Sequence, residues 1–206
     1  MEGLDAGRVG EVVAQMLARH QESVASVAAQ CDSLARAAKC IVETAQSGGK
    51  VFACGNGGSA ADAQHLAAEL TGRFEGTAMS MPCVSLAADI SVLTALANDY
   101  GYEQVFQRQV AAAGKPGDVL VAISTSGASL NVLLAARAAH DLGMSVVALT
   151  GAHQTGNTLG EVADILIACE CNQTPRIQEA HTFAIHAICE LVRHLRLNSN
   201  QASVLM

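Results

Sequence analysis

"KVFACGNGGSAADAQHLAAEL", residues 50–70, decides the fold. A short apolar run, Val51 to Cys54, meets Gly55, Gly57 and Gly58, after which apolar residues recur at helical spacing. The order is strand, glycine turn, helix. It repeats along the chain: "PCVSLA" (82–87), "DVLVAIS" (118–124), "SVVALTG" (145–151) and "ADILIAC" (163–169) are too short for helices and lack polar alternation. Such runs suit strands of a parallel sheet covered on both faces. Helical patterns lie between them at 59–72, 90–98, 103–113, 129–142 and 156–163. The expected architecture is α/β: a three-layer, doubly wound, flavodoxin-like sandwich with a mostly parallel five-stranded sheet and right-handed crossovers.

Outward from this centre, residues 5–47 read as two helices, stopped by "SGGK". From "TPRIQEAHTFAIHAICELVRHLRL" a long closing helix runs to about residue 197, with Thr174 as its cap and Pro175 in its first turn. Residues 198–206 are expected to be a loose tail. No repeat or linker divides the chain, so residues 1–206 are read as one domain, with the pair at 1–47 serving oligomerisation.

Composition narrows the class. Half of the 206 residues are hydrophobic and 15% are charged, an apolar balance that points to surface buried between subunits. No apolar run is long enough to span a membrane, and "MEGLDAGRVGEVV" lacks the basic start and apolar core of a leader, so a cytoplasmic location is expected. The seven cysteines are odd in number, contain no CxxC pair and lie mostly in apolar stretches, which reads as reduced core thiols. A net charge of −7 argues against nucleic acid or anionic membrane as a partner, so an anionic ligand must be caught by a local site.

Two loops qualify. "CGNGGSA" follows the first strand; its glycines permit tight turns and close backbone approach, and Ser59 offers a hydroxyl. It matches neither common nucleotide-loop pattern. "ISTSGASLNV" follows the strand at 118–123 and places Ser124, Thr125, Ser126 and Ser129 around Gly127, a neutral but strongly donating pocket for a phosphate. Within the first helix, His65 and Glu69 stand four apart on one face, able to approach one ion or one substrate. A second polar set lies on the last helix: Gln178, Glu179, His181, His186, Glu190 and His194. Gln178 and His186 point within about 80° of one another but stand about 12 Å apart along the axis. By spacing alone His181 serves nearly as well as His186, and the ligands can come from one chain or from two.

The stretches "CGNGGSAADAQHLAAELTGRFE", "ANDYGYEQVF", "STSGAS" and "TPRIQEAHTFAIH", in this order, resemble bacterial phosphoheptose isomerases of the sugar-isomerase (SIS) fold. The likeness runs from the N-terminal helices to about residue 197. It implies an aldose–ketose isomerase acting on sedoheptulose 7-phosphate, on the way to ADP-heptose, as a homotetramer with one zinc ion per site. Carried over by position, the implied zinc ligands are His65, Glu69, Gln178 and His186, which selects His186 over His181. Phosphate and sugar contacts are implied at Asn56, Gly57, Ser59, Ser124, Thr125, Ser126 and Ser129, with Arg73, Asn98 and Asp99 lining the site and Gln178 within reach of the sugar. Glu69 and His186 are the implied catalytic pair. Ala128 stands where many members carry asparagine, and "GAHQTGNTLG" is an unusual version of its stretch. The alternative reading is a SIS-fold protein that binds a sugar phosphate without isomerising it, similar to replication-initiator-associating proteins.

Overall fold

The five apolar runs pair as parallel strands, and their order brings the glycine loop and the serine loop side by side. A computed structural model describes residues 5–152 and 158–204. Its elements are α1 (Ala6–Ala28), α2 (Cys31–Gln46), β1 (Val51–Gly55), α3 (Gly58–Thr71), β2 (Arg73–Phe74), β3 (Thr77–Ala78), β4 (Cys83–Ser85) and α4 (Ile90–Tyr100). After a 3-10 turn at Tyr102–Gln104 come α5 (Val105–Ala113), β5 (Val119–Ser124), α6 (Leu130–Asp141), β6 (Ser145–Gly151), α7 (Thr158–Val162), β7 (Ile165–Cys169) and α8 (Thr174–Val204).

The five-stranded sheet has the order β4-β1-β5-β6-β7, and every pair in it is parallel. From β1 the chain crosses through α3 to β4 on one side, then returns to add β5 on the other. The winding therefore reverses between β1 and β5, and in an open α/β sheet the ligand crevice forms at the carboxyl ends of the two strands flanking that reversal. Those ends lead into the glycine loop and the serine loop.

Strand periodicity sorts the core into two layers. Val51, Ala53, Val119, Val121, Ile123, Val147, Leu149 and Ile167 point to one face, where they meet Leu34, Ile41, Leu66, Leu70, Ile177 and Ile185 of α2, α3 and α8. Phe52, Cys54, Leu120, Ala122, Val146 and Ala148 point to the other, against Val105, Phe106, Val132, Ala135 and Leu159 of α5, α6 and α7. Burial on both faces is why β1 and β5 read as unbroken apolar runs: none of their residues is solvent-exposed.

Three details differ from the sequence reading. A two-stranded antiparallel hairpin, β2–β3, follows α3, turned by Glu75 and Gly76 with φ of 45° and 77°. Two-residue strands are too short for periodicity to report, and the left-handed pair at the turn is the signal that was available. Residues 198–204, expected to be loose, continue α8 to Val204; Asn and Ser are only weak helix formers, and no proline or glycine stops the ladder there. The Ile177 N–H donates to the Gln173 carbonyl, so α8 opens with Thr174 already helical rather than capping. Part of "GAHQTGNTLG", residues 153–157, lies outside the described residues, as does the start of the helix expected at 156–163. Among the described residues no helix is long and apolar enough to cross a membrane.

Candidate active site

The two helices that leave the switch point, α3 and α6, begin without side-chain caps: neither Gly57 nor Ser129 makes a capping hydrogen bond. Asp5 caps α1 and Asp89 caps α4, whereas α2 and α5 also begin uncapped, so what sets α3 and α6 apart is their place at the switch point. A helix start leaves N–H groups and the positive end of its dipole unanswered, and two such starts side by side form an anion site. Gly57 has a φ of 55°, a conformation that a side chain disfavours, and this turn aims the α3 N-terminus into the crevice.

The serine loop supplies the hydroxyls. Ser124 Oγ lies 2.9 Å from Ser129 Oγ and 3.4 Å from Ser126 Oγ, and accepts the Gly127 N–H at 3.1 Å. Ser126 Oγ accepts the Ala128 N–H at 3.2 Å. Ser59 and Ser124 are buried, and Thr125, Ser126 and Ser129 are half-buried at the rim. The cluster is neutral, so what it offers an anion is oriented donors rather than charge.

The acid-base and metal candidates lie further along α3. His65 Nε2 stands 3.3 Å from Glu69 Oε1 and 2.9 Å from His186 Nε2, which reaches in from α8. The three donor atoms all fall within 4.8 Å of one another. One imidazole proton shared among these groups satisfies them poorly, since His65 Nε2 must answer two neighbours through a single atom. A cation in the proton's place satisfies all three lone pairs, and two imidazoles with one carboxylate form the usual donor set of a catalytic zinc site with an open position. The residues present therefore fit a divalent metal.

His186, not His181, completes the cluster. His181 is fully buried, its Nε2 within 3.2 Å of the Thr150 carbonyl and its Nδ1 unpartnered, and burial lowers its pKa to about 4. Gln178 projects from α8 against Gly58: a Cβ on Gly58 would lie 2.3 Å from Gln178 Nε2, so only glycine lets the amide rest there. Gln178 thus sits toward the glycine and serine loops, about 12 Å along the helix axis from His186. The other polar groups of α8 are accounted for otherwise. Glu179 pairs with Arg176 and with His20 of α1 at 2.7 Å, and Glu190 pairs with Arg193 and His194.

Arg73, Asn98 and Asp99 are exposed, and no hydrogen bond joins them to the triad or the serine loop among the described residues; Asn98 Nδ2 donates to Asp99 Oδ1 at 2.8 Å. Three residues that the sequence reading passed over take part in the site's architecture: Asn131 and Tyr102, both bonded to Asn56, and Asp62 beneath His65. Asp62 Oδ1 accepts Thr182 Oγ1 at 3.0 Å while Oδ2 has no partner; burial raises its pKa, partly opposed by Thr182 and His65. Asn131 and Tyr102 lay within quoted motifs, but nothing local marks an amide as a partner for another one 75 residues away.

All seven cysteines are free thiols. Burial pushes Cys54, Cys83 and Cys189 up to about 12, so at neutral pH they rest as protonated, weakly nucleophilic thiols.

The fold and the paired anion loops define a class, which comparison with known proteins identifies: residues 15–151 match the family described as SIS domain. The chain is 47% identical over 182 residues to the phosphoheptose isomerase of Aliarcobacter butzleri, covering 88% of this chain and 95% of that protein. The solved phosphoheptose isomerase of Neisseria gonorrhoeae superposes with a TM-score of 0.83 at 42% identity, covering 90% of this chain and 99% of that one. The enzyme from Francisella tularensis gives 0.82 at 36% identity, with 90% and 97% covered. The chain belongs to the phosphoheptose isomerases of the SIS family.

Proposed function

We propose that this chain isomerises sedoheptulose 7-phosphate to D-glycero-D-manno-heptose 7-phosphate through a cis-enediol, the first step toward ADP-heptose, in a cytoplasmic homotetramer with one zinc ion per site. The observation that carries the reading is the spacing of the two subsites on α3. Gly58 at the anion crevice and His65 at the triad are seven residues apart, about 10 Å along the axis. A six-bond carbon chain with a terminal phosphate ester spans roughly the same length, at about 1.25 Å advance per bond of ~1.5 Å. A substrate anchored by phosphate at the switch point thus brings C1 and C2 to His65, Glu69 and His186.

Binding the remote phosphate orients a flexible substrate, so its energy is expressed at the reacting carbons. The backbone N–H groups of Gly57 and Gly58 and the hydroxyls of Ser59, Ser124, Thr125, Ser126 and Ser129 hold that phosphate. Asn56 acts through the loop it braces. Asn98, Asp99 and Arg73 line the outer wall of the site. His65, Glu69 and His186 hold the metal; Gln178, implied by the resemblance as a fourth ligand, rests its amide against Gly58, about 10 Å along α3 from His65, so within one chain it lies toward the sugar and its phosphate and does not complete that set. When bound, the ion polarises the substrate carbonyl and steadies negative charge on its oxygen.

Isomerisation then requires removing a proton from C1 and delivering one to C2, with a matching transfer between the two oxygens. Glu69 is the carbon-proton base: it takes the C1 proton, leaving the enediol, and returns a proton at C2. His186 moves the oxygen proton. A carboxylate engaged with a cation is a weaker base, and Asp99 is the group that takes over if that engagement is tight. The tetramer is supported by the exposed apolar stripe of α1, and the cytoplasm by seven free thiols. The binding-only alternative has no use for the converged triad.

The test is to supply sedoheptulose 7-phosphate with and without a chelator and to follow the aldose. Turnover that the chelator stops, restored by zinc and lost in Glu69→Gln, is the expected result. A folded, metal-loaded protein that binds the sugar phosphate yet neither forms aldose nor exchanges C1 hydrogen with solvent overturns it.

A further inference from the structure

Asn56 heads the glycine loop, yet its side chain is committed elsewhere. Its Nδ2 donates to Asn131 Oδ1 at 2.8 Å, and its Oδ1 accepts Asn131 Nδ2 at 2.9 Å and the Tyr102 hydroxyl at 2.8 Å. Asn131 Oδ1 also accepts the Val132 N–H at 3.0 Å. An amide oxygen has two lone pairs, so both acceptors in this pair are saturated. Asn131 is buried in the first turn of α6, directly after the serine loop. Two reciprocal amides therefore clamp the loop leaving β1 to the loop leaving β5, across the switch point where the phosphate is proposed to sit.

Tyr102 ends this chain of bonds. It is 58% exposed and opens the 3-10 turn, two residues after the end of α4 that carries Asn98 and Asp99. Its hydroxyl thus connects the outer wall of the site to the clamp. The triad lies beyond, since Asn56 precedes the start of α3 and His65 is about 10 Å further along that helix; Tyr102 reaches the loop, not the groups that move protons.

We propose that Tyr102, Asn56 and Asn131 form a positioning chain that sets the separation of the two phosphate loops, with Tyr102 governing affinity for the phosphate end of the substrate and taking no part in proton transfer. Phosphate held by backbone N–H groups of one loop and hydroxyls of the other is sensitive to their separation, because each donor must meet its oxygen at hydrogen-bond length. The inference rests on the proposed reading of these loops as the phosphate site. None of the three is a catalytic residue; each acts through the backbone that it holds.

Tyr102→Phe keeps the ring and removes one neutral hydrogen bond, which should raise KM for the sugar phosphate and the inhibition constant of inorganic phosphate together, by roughly three- to tenfold. Its kcat, the pH profile of kcat and thermal stability should stay at wild-type levels. Asn131→Asp keeps an acceptor for Asn56 Nδ2 and Val132 but loses the donor to Asn56 Oδ1 and sets a negative charge beside the crevice. It should weaken inorganic phosphate further than Tyr102→Phe. Wild-type KM and phosphate affinity in Tyr102→Phe, or a fall in kcat with phosphate affinity unchanged, overturns the proposal. Direct binding of inorganic phosphate to wild type and Tyr102→Phe keeps the two readings apart: absent turnover in wild type refutes the isomerase, whereas equal phosphate affinity in both proteins refutes the positioning chain.

Discussion

His181 and His186 are five residues apart on one helix and serve opposite ends. His186 is exposed and meets His65, whereas His181 is sealed in the core. Burial favours the neutral imidazole, lowering the His181 pKa to about 4 from the usual 6.5. The unfolded chain thus binds the extra proton first as pH falls, so stability is fully present above about pH 6.5 and is lost toward pH 4. Between pH 7 and pH 5 this histidine alone should remove about 2 kcal/mol. Urea unfolding at the two pH values checks it: His181→Gln, which retains a donor for the Thr150 carbonyl, should lose distinctly less stability over that interval than wild type. An equal loss in both would assign the acid sensitivity to other groups.

At the scale of elements, the site is a seam between α3 and α8. Gly58 meets Gln178, Asp62 meets Thr182, and His65 meets His186, so the two helices run parallel and in register. The apolar faces bearing Leu66 and Leu70 on one and Ile177 and Ile185 on the other hold that register against the sheet. The middle rung is a buried carboxylate: among the described residues Thr182 answers Asp62 Oδ1 and nothing answers Oδ2. Thr182→Val keeps the shape and removes the donor, leaving Asp62 with no partner on either oxygen. That should cost about 1–3 kcal/mol near neutral pH. Because burial already raises the Asp62 pKa, protonation neutralises the stranded group as pH falls, and the penalty measured against wild type should shrink at pH 5. A penalty independent of pH would mean that Thr182 stabilises by packing alone. The seam also explains what residue spacing by itself left open: the i,i+4 pair His65 and Glu69 could be found on one helix, but the third member, which the family resemblance placed at His186, depends on the rotation of another helix 121 residues away.

At the scale of the molecule, the first half of α1 is unfinished as a single chain. Val9, Val12, Val13, Met16 and Leu17 are all exposed, at spacings that make one helical stripe. In the proposed tetramer this stripe is covered, and Leu17→Asp should dissociate it. Light scattering should find wild type at four times the chain mass and the variant at a smaller assembly with reduced turnover; an unchanged mass would place the interface elsewhere. The sequence by itself determined the five strands of the parallel sheet, the helices that separate them and the two candidate anion loops, because apolar period, glycine turns and hydroxyl-rich helix starts act within a few residues. It also contained both candidate anion loops without revealing their separation. Residue spacing left His181 and His186 open and the family resemblance favoured His186; the tertiary structure brought His186 against His65, and it alone decided that Asn56 braces Asn131 instead of reaching outward and that Gln178 rests on Gly58. Each depends on register and rotation between elements distant in sequence, which only packing on a shared sheet can set.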